Sequence, residues 1–213
     1  MILRRAARGA SIFLSLLLAM VVTFTVEPQK NAYAFNSFTF HRTSAINYAN
    51  AYEFNRNSSY PNFSDNCTNY ASQVWHEGAG VPKDNNWDEF KYASGGYYYT
   101  HSWSVASSFL SFWSGDPYVV IRTISGSQMQ QPYNGLDLGD AIVYDSGNNS
   151  SSADWHHTGV EHHWNSSGDF EIQNTTDEVV AWNRWYYTHN ATQQANMRAH
   201  GWRAIHPLSS DYN

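Results

Sequence analysis

Residues 65–77 have the sequence Asp-Asn-Cys-Thr-Asn-Tyr-Ala-Ser-Gln-Val-Trp-His-Glu, whose apolar spacing predicts a helix from about residue 66 to residue 77. Asp65 or Asn66 can cap this helix, which places Cys67 in its first turn. The side chains that share the predicted buried stripe are Cys67, Tyr70, Ala71, Val74 and Trp75. The segment therefore predicts a helix that begins at a thiol.

The rest of the pattern predicts helices first and strands second. Residues 45–52 have apolar side chains at helical spacing, with Thr43 or Ser44 as a cap, and a third helix is expected near residues 103–112. The apolar period then changes to two, which predicts strands at 119–124, 141–144, 157–163, 170–173 and 179–187, then a short helix at 192–200 and a last strand at 202–206. This order indicates an α+β fold with N-terminal helices packed on an antiparallel β-sheet.

The N-terminus has the features of an export signal. A basic stretch precedes an apolar run from about residue 12 to residue 26, and Ala32-Tyr33-Ala34 then supplies a small-x-small cleavage pattern. We therefore expect a signal peptide at residues 1–34 and a secreted, extracellular domain at residues 35–213, with cell-wall association left open. An uncleaved anchor is the weaker interpretation, so we expect no membrane association after cleavage.

The composition narrows the classes of partner. The chain has 213 residues and a net charge of −6 with histidine neutral, and residues 1–34 hold four of its basic residues but only one acidic residue. An acidic domain with scattered Lys and Arg is a poor candidate for binding nucleic acid. We expect a monomer without a cofactor. Cys67 is the single cysteine, although secreted proteins usually pair their cysteines in disulfides.

A lone thiol is either an inert buried side chain or a nucleophile. Cysteine attacks as the thiolate, which the positive end of a helix dipole and a nearby imidazole both favour. The predicted position of Cys67 supplies the helix dipole, and the backbone amides around it could stabilise an oxyanion. Cysteine is also a common core residue. The residues alone therefore leave the two interpretations about even.

Among the ten histidines, His157 is the strongest candidate for a base. On a strand it shares a face with Gly159 and Glu161, and the glycine would leave room for a helix to approach. His156 would face the other side, although a shift of one residue in register would exchange the two. On the next predicted strand, Asn174 lies on the core side, where its amide oxygen could orient the imidazole. Taken alone, Asn174 is more typical of a turn at the end of a strand.

These residues, in this order, resemble the secreted bacterial amidase-domain family, which is related to the NlpC-like and CHAP cysteine hydrolases of the papain-like group. The resemblance covers nearly the whole mature chain and is carried by residues 45–57, 65–73, 103–106, 139–144 and 157–160. It implies a papain-like fold with Cys67 as nucleophile, His157 as base and Asn174 as the third polar residue. The chain departs from the family at Asn174, where the family more often has histidine, and in the additional His156.

The resemblance implies an exported cysteine-dependent amidase or peptidase that hydrolyses an amide bond in peptidoglycan or in a peptide. One alternative is a zinc-dependent hydrolase, because His157, Glu161 and His163 would share one strand face, although the helical HExxH motif is absent. Another alternative is a non-catalytic cell-wall-binding module, in which the aromatic side chains at residues 97–99 and 185–187 stack on sugars.

Overall fold

The computed structural model describes residues 37–130, 135–165, 168–173 and 178–213. The helices of these residues are α1 (Arg42–Tyr52), α2 (Cys67–Gln73), α3 (His101–Ser104), α4 (Ala106–Ser114), α5 (Arg184–Tyr187) and α6 (Ala191–His200). Helix α2 continues into a π-helical turn at Val74–Gly78. None of these helices is long and apolar enough to cross a bilayer. The predicted signal peptide at residues 1–34 lies outside the described residues.

The strands are β1 (Phe40–His41), β2 (Glu89–Lys91), β3 (Tyr97–Tyr99), β4 (Val119–Ile124), β5 (Ala141–Asp145), β6 (Trp155–Asn165), β7 (Gly168–Gln173), β8 (Glu178–Ala181), β9 (Trp202–Pro207) and β10 (Ser210–Asp211). Six of them form one sheet in the order β4–β9–β5–β6–β7–β8, in which every neighbouring pair is antiparallel. Strands β2 and β3 form a separate antiparallel hairpin, and β1 pairs with β10 in parallel. The predicted α+β class with an antiparallel sheet is confirmed.

Helices cover both faces of the six-stranded sheet. One face packs against α1, α2 and α4 in the larger apolar cluster, which includes Trp75 and Val143. The other face packs against α5 and α6 in a smaller cluster, which includes Tyr144, Tyr186 and Met197. Because side chains alternate along a strand, neighbouring residues of β5 and β6 contact different helices. This alternation decides which side of the sheet each site residue faces.

The turn that enters β5 fixes the sheet to α1. Gly139 has φ of +83°, a left-handed conformation that glycine adopts without strain, and its carbonyl accepts a hydrogen bond from Trp75 Nε1 at 3.0 Å. The next residue, Asp140, is fully buried and forms an ion pair with Arg42 at 2.9 Å. His206 Nδ1 lies 2.9 Å from the same carboxylate. The buried cation and anion thereby connect the first helix to the sheet.

Three local predictions were wrong. Helix α1 begins at Arg42, so the two residues predicted to cap it lie inside it, and no side chain caps it at His41. The predicted third helix is two helices, because Val105 is extended, with φ of −121° and ψ of 123°. Residues 184–187, predicted as part of a strand, form α5. Trp and Tyr favour strands, but here the burial of Tyr186 in the smaller cluster decides the local structure.

Candidate active site

A pocket of about 300 Å³ lies where α2, β6, β7 and α5 meet. Its lining residues are Asp65, Cys67, His156, His157, Glu171, Gln173, Val180, Arg184, Trp185 and Thr188. The predicted nucleophile and the predicted base both line it. Cys67 is 6% exposed and His157 is 4% exposed, so the pocket is the opening through which a substrate would reach them.

Cys67 is the first residue of α2, and Asn66 occupies the N-cap position. The Asn66 side chain does not cap the helix. Its Oδ1 instead accepts hydrogen bonds from the backbone N–H of Phe63 at 3.3 Å and from Nδ2 of Asn69 at 2.8 Å. Asn66 therefore occupies the predicted N-cap position, but its side chain does not make the predicted capping hydrogen bond. The backbone amides beside the thiol are left without this acceptor, which suits an oxyanion site.

The surroundings of Cys67 differ from those of the residues that share its helix face. Tyr70, Ala71, Val74 and Trp75 all belong to the larger apolar cluster. Cys67 is buried, but it belongs to neither apolar cluster of the described residues. An inert core cysteine packs among apolar side chains. The thiol instead lies at a pocket whose lining includes ionisable side chains such as Asp65, His157 and Glu171.

A buried hydrogen bond fixes the start of α2 to β6. The hydroxyls of Thr68 and Thr158 lie 2.9 Å apart. Thr158 pairs with Val143 on the face of the larger cluster, so its neighbour His157 points to the opposite face, where its ring lies 5.5 Å from the Tyr144 ring. The helix that carries the thiol and the side chain of the histidine therefore approach the pocket from different faces of the sheet.

A β-bulge separates the roles of the two adjacent histidines. Tyr144 pairs with His157 and Asp145 pairs with Trp155, so His156 is the extra residue on β6. His156 is exposed and His157 is buried, although both line the pocket. Bulges are common next to active sites because they change the direction of a side chain. The structure thus makes His157 the inner histidine.

The indole of Trp185 stacks on the imidazole of His157, with ring centroids 4.7 Å apart and an angle of 11° between the planes. Its Nε1 donates a hydrogen bond to the backbone carbonyl of Asp145 at 3.0 Å. The Asp145 carboxylate in turn lies 2.8 Å from Nδ1 of His200 on α6. Helices α5 and α6 therefore hold one wall of the pocket in place. The local sequence pattern does not predict this contact between Trp185 and His157.

Glu171 is a pocket residue that the sequence analysis missed. It is 1% exposed, and its Oε2 accepts a hydrogen bond from the hydroxyl of Tyr144 at 2.5 Å. A Cβ atom added to Gly159 would lie only 1.9 Å from that oxygen. The space beside His157, which was expected to admit a helix, is therefore filled by a carboxylate, and that expectation was wrong. The polar residues Glu171 and Gln173 alternate with an apolar residue. This alternation is the signal that could have revealed this wall of the pocket.

Asn174, the predicted third polar residue, lies outside the described residues. Its orienting role therefore stays a prediction. Strand β7 ends at Gln173, which lines the pocket, so the described chain reaches the pocket one residue before Asn174.

The predicted zinc ligands do not come together. The register between β6 and β7 shifts between Glu161 and His163, and His163 Nδ1 lies 2.8 Å from Nδ1 of its neighbour His162. Within the described residues, the group of three possible ligands with atoms less than 4.8 Å apart is a different one, consisting of Asp137, Asp140 and His206. The shift in register therefore separates the three side chains that simple alternation would place on one face.

Comparisons with known proteins place the chain among its relatives. It is 32% identical over 123 residues to a protein described as "Uncharacterized protein YhbB" from Bacillus subtilis (strain 168). That match covers 56% of this chain and 36% of the relative, so this chain spans only part of the relative's length. No solved structure matches the chain. The model of a family described as "Putative amidase domain" matches residues 39–201, and the chain therefore belongs to this amidase-domain family, as its motifs predicted.

Proposed function

We propose that the chain is an exported, cysteine-dependent amidase or peptidase, with Cys67 as nucleophile and His157 as base. The observation that carries the proposal is that both residues line the same pocket. The thiol is at the first position of a helix and the imidazole is on the adjacent strand. Membership of the amidase-domain family supports hydrolysis of amides in general. A helix that starts at a cysteine and packs on an antiparallel sheet bearing a histidine also supports a papain-like arrangement.

The proposed reaction has two steps. His157 accepts the thiol proton as the sulfur of Cys67 attacks the carbonyl carbon of the amide, and the backbone amides at the start of α2 donate hydrogen bonds to the oxyanion. The C–N bond then breaks, the imidazolium gives its proton to the leaving amine, and the acyl group remains on sulfur as a thioester. Water that loses a proton to His157 hydrolyses this thioester, which releases the acid and restores the thiol.

A histidine base works best when an acceptor on its other ring nitrogen fixes its orientation. We assign this role to Glu171, because its carboxylate lines the same pocket, occupies the space over Gly159 and is held by the Tyr144 hydroxyl. Asn174, implied by the family resemblance, is the alternative. If Glu171 is the acceptor, Glu171→Gln lowers the rate of hydrolysis and Asn174→Ala does not. The reverse result assigns the role to Asn174.

We propose an amide bond of peptidoglycan, in a stem peptide or an N-acyl linkage, as the substrate. The predicted signal peptide and the resemblance to NlpC-like and CHAP hydrolases support a substrate outside the cell. The charges of the pocket also suit a short peptide that carries both an ammonium group and a carboxylate. Asp65 offers a carboxylate to an ammonium group, and Arg184 offers a guanidinium to a carboxylate.

The decisive experiment incubates the mature protein with purified peptidoglycan and measures new amino groups by mass spectrometry. Cys67→Ala and His157→Ala should each lower product formation by about 1,000-fold or more. His156→Ala is the matched control, because it removes an exposed imidazole next to the buried one, and it should keep most of the activity. Equal losses in the two histidine variants would contradict the assigned base. Wild-type protein that releases no product from several wall types would refute the wall substrate.

A second measurement needs no substrate. Iodoacetamide reacts with the thiolate, so its rate of reaction with Cys67 at neutral pH reports whether His157 activates the thiol. We expect His157→Ala to react at least about tenfold more slowly than wild type, and His156→Ala to react at the wild-type rate. Identical rates in all three proteins would argue for an inert thiol.

A further inference from the structure

A second concave surface lies between β3, α3 and α4. It encloses about 550 Å³ and shares no lining residue with the Cys67 pocket. The residues that give it its chemical character are Asn85, Asn86, Tyr98, His101, Ser108 and Ser111. We refer to this surface as the polar groove.

The polar groove offers hydrogen-bonding groups that the protein itself does not use. The side chains of Asn85, Asn86, His101, Ser108 and Ser111 make no hydrogen bond within the described part of the chain. Together they supply amide, hydroxyl and imidazole donors and acceptors. No Asp, Glu, Lys or Arg occurs among the described residues that line the groove. This combination suits an uncharged ligand with many hydroxyl or amide groups.

Exposed aromatic rings extend the polar groove onto the hairpin. Phe90 and Tyr98 are cross-strand partners whose rings stack with centroids 4.9 Å apart and an angle of 24° between the planes. Tyr92 packs edge-on against Phe90 at 5.1 Å. The three side chains are 44%, 39% and 47% exposed, in the order Phe90, Tyr98 and Tyr92. Contiguous exposed apolar surface of this kind marks binding sites.

The opposite face of the hairpin explains why these rings point outward. The alternate residue Tyr97 donates a hydrogen bond from its hydroxyl to the Ser58 carbonyl at 2.9 Å, and the Tyr99 ring, although 41% exposed, contacts that of Phe63 at 4.9 Å. Because strand side chains alternate, anchoring this face holds Phe90 and its partner toward solvent. The aromatic surface is therefore built into the fold.

We propose that the outward face of the hairpin and the polar groove form one binding site for a neutral sugar chain. The aromatic rings pack against the C–H faces of pyranose rings, while the amides and hydroxyls of the groove bind sugar hydroxyl and N-acetyl groups. Tyr98 belongs to both parts and joins them. The glycan strand of peptidoglycan is a chain of this kind, and that link alone rests on the function proposed above.

The test measures calorimetrically how the β-1,4-linked hexamer of N-acetylglucosamine binds to mature protein that carries Cys67→Ala. In this background, Phe90→Ala and Tyr98→Ala should each weaken binding about three- to tenfold, because each removes a stacking ring. Tyr98→Phe keeps the ring and should bind more tightly than Tyr98→Ala. Trp164→Ala is the matched control, since it removes a ring on β6 that is 66% exposed, and it should leave the affinity unchanged.

Three outcomes would overturn the proposal. The first is that the hexamer does not bind at millimolar concentration. The second is that Phe90→Ala and Tyr98→Ala bind the hexamer with unchanged affinity. The third is that a wall tetrapeptide binds in place of the hexamer and that these two variants weaken binding of the tetrapeptide. Near-ultraviolet circular dichroism checks that the variants are folded. Because binding is measured without the thiol, failure of the hydrolysis proposal and failure of this one are separate results.

Discussion

Replacing Gly159 with alanine should push the Glu171 carboxylate out of its place in the pocket. The new Cβ would lie 1.9 Å from Oε2 and 2.9 Å from Cδ, whereas ordinary contact begins at 3.4 Å. The oxygen must therefore retreat by about 1.5 Å, which breaks its 2.5 Å hydrogen bond with Tyr144. The group is 1% exposed, so no water replaces the lost partner easily.

The cost can be estimated from these contacts. Overpacking of a buried site costs about 1–3 kcal/mol, and loss of a hydrogen bond to a charged group costs about 1.5–3 kcal/mol. The smaller entropy of alanine in the unfolded chain returns about 0.4–1 kcal/mol. We therefore expect Gly159→Ala to lower the free energy of unfolding by about 1.5–5.5 kcal/mol. Urea denaturation followed by tryptophan fluorescence should show a lower midpoint with an unchanged m value.

A double-mutant cycle tests the cause of this loss. In protein that already carries Glu171→Ala, the clashing carboxylate is gone, and the Cβ of residue 171 lies 3.2 Å from the added Cβ. Gly159→Ala should then cost at least about 1 kcal/mol less than in the wild-type background. Additive effects of the two substitutions, within about 0.5 kcal/mol, would refute the reasoning, because the loss would then come from the strand backbone.

Three further predictions concern other parts of the structure. Trp185→Ala removes the ring stacked on His157 and should lower kcat by about tenfold or more with little change in KM, whereas Trp185→Phe should restore most of kcat. Asp140→Ala leaves the buried guanidinium of Arg42 without its carboxylate and should cost about 3–5 kcal/mol in urea denaturation; a cost below about 1 kcal/mol would contradict it. Burial raises the pKa of Tyr60 above its ordinary value, so the stability that this phenol contributes is fully present below about pH 10 and declines at higher pH. Tyr60→Phe should make stability less dependent on pH above about 10 in denaturation series.

The sequence predicted the elements that carry the two main site residues because both signals are local. The helix predicted from about residue 66 to residue 77 follows from apolar spacing within four turns, and helix α2 indeed begins at Cys67. The strand around His157 follows from alternation within a few residues. Its bulge at His156 leaves the alternation from His157 onward intact. Local patterns of this kind do not depend on which elements become neighbours.

The rest of the pocket depends on contacts between distant residues, which a single sequence does not show. Glu171 reaches the space over Gly159 only because of the register between β6 and β7, and alternation alone leaves that register open. Trp185 stacks on His157 only because residues 184–187 form a helix that packs on the second face of the sheet. Aromatic residues at these positions have the opposite local preference.

The two faces of the sheet give the strongest structural argument that Cys67 is more than a core residue. A cysteine that serves only to fill space should join the cluster formed by its helix neighbours Tyr70, Ala71 and Val74, yet it joins neither apolar cluster of the described chain. It lies at the end of the helix nearest His157, where the side chains of the second face line the pocket. Packing alone does not require a thiol, a stacked imidazole and a buried carboxylate in one cavity. Acyl transfer does require a nucleophile, a base and a group that orients the base.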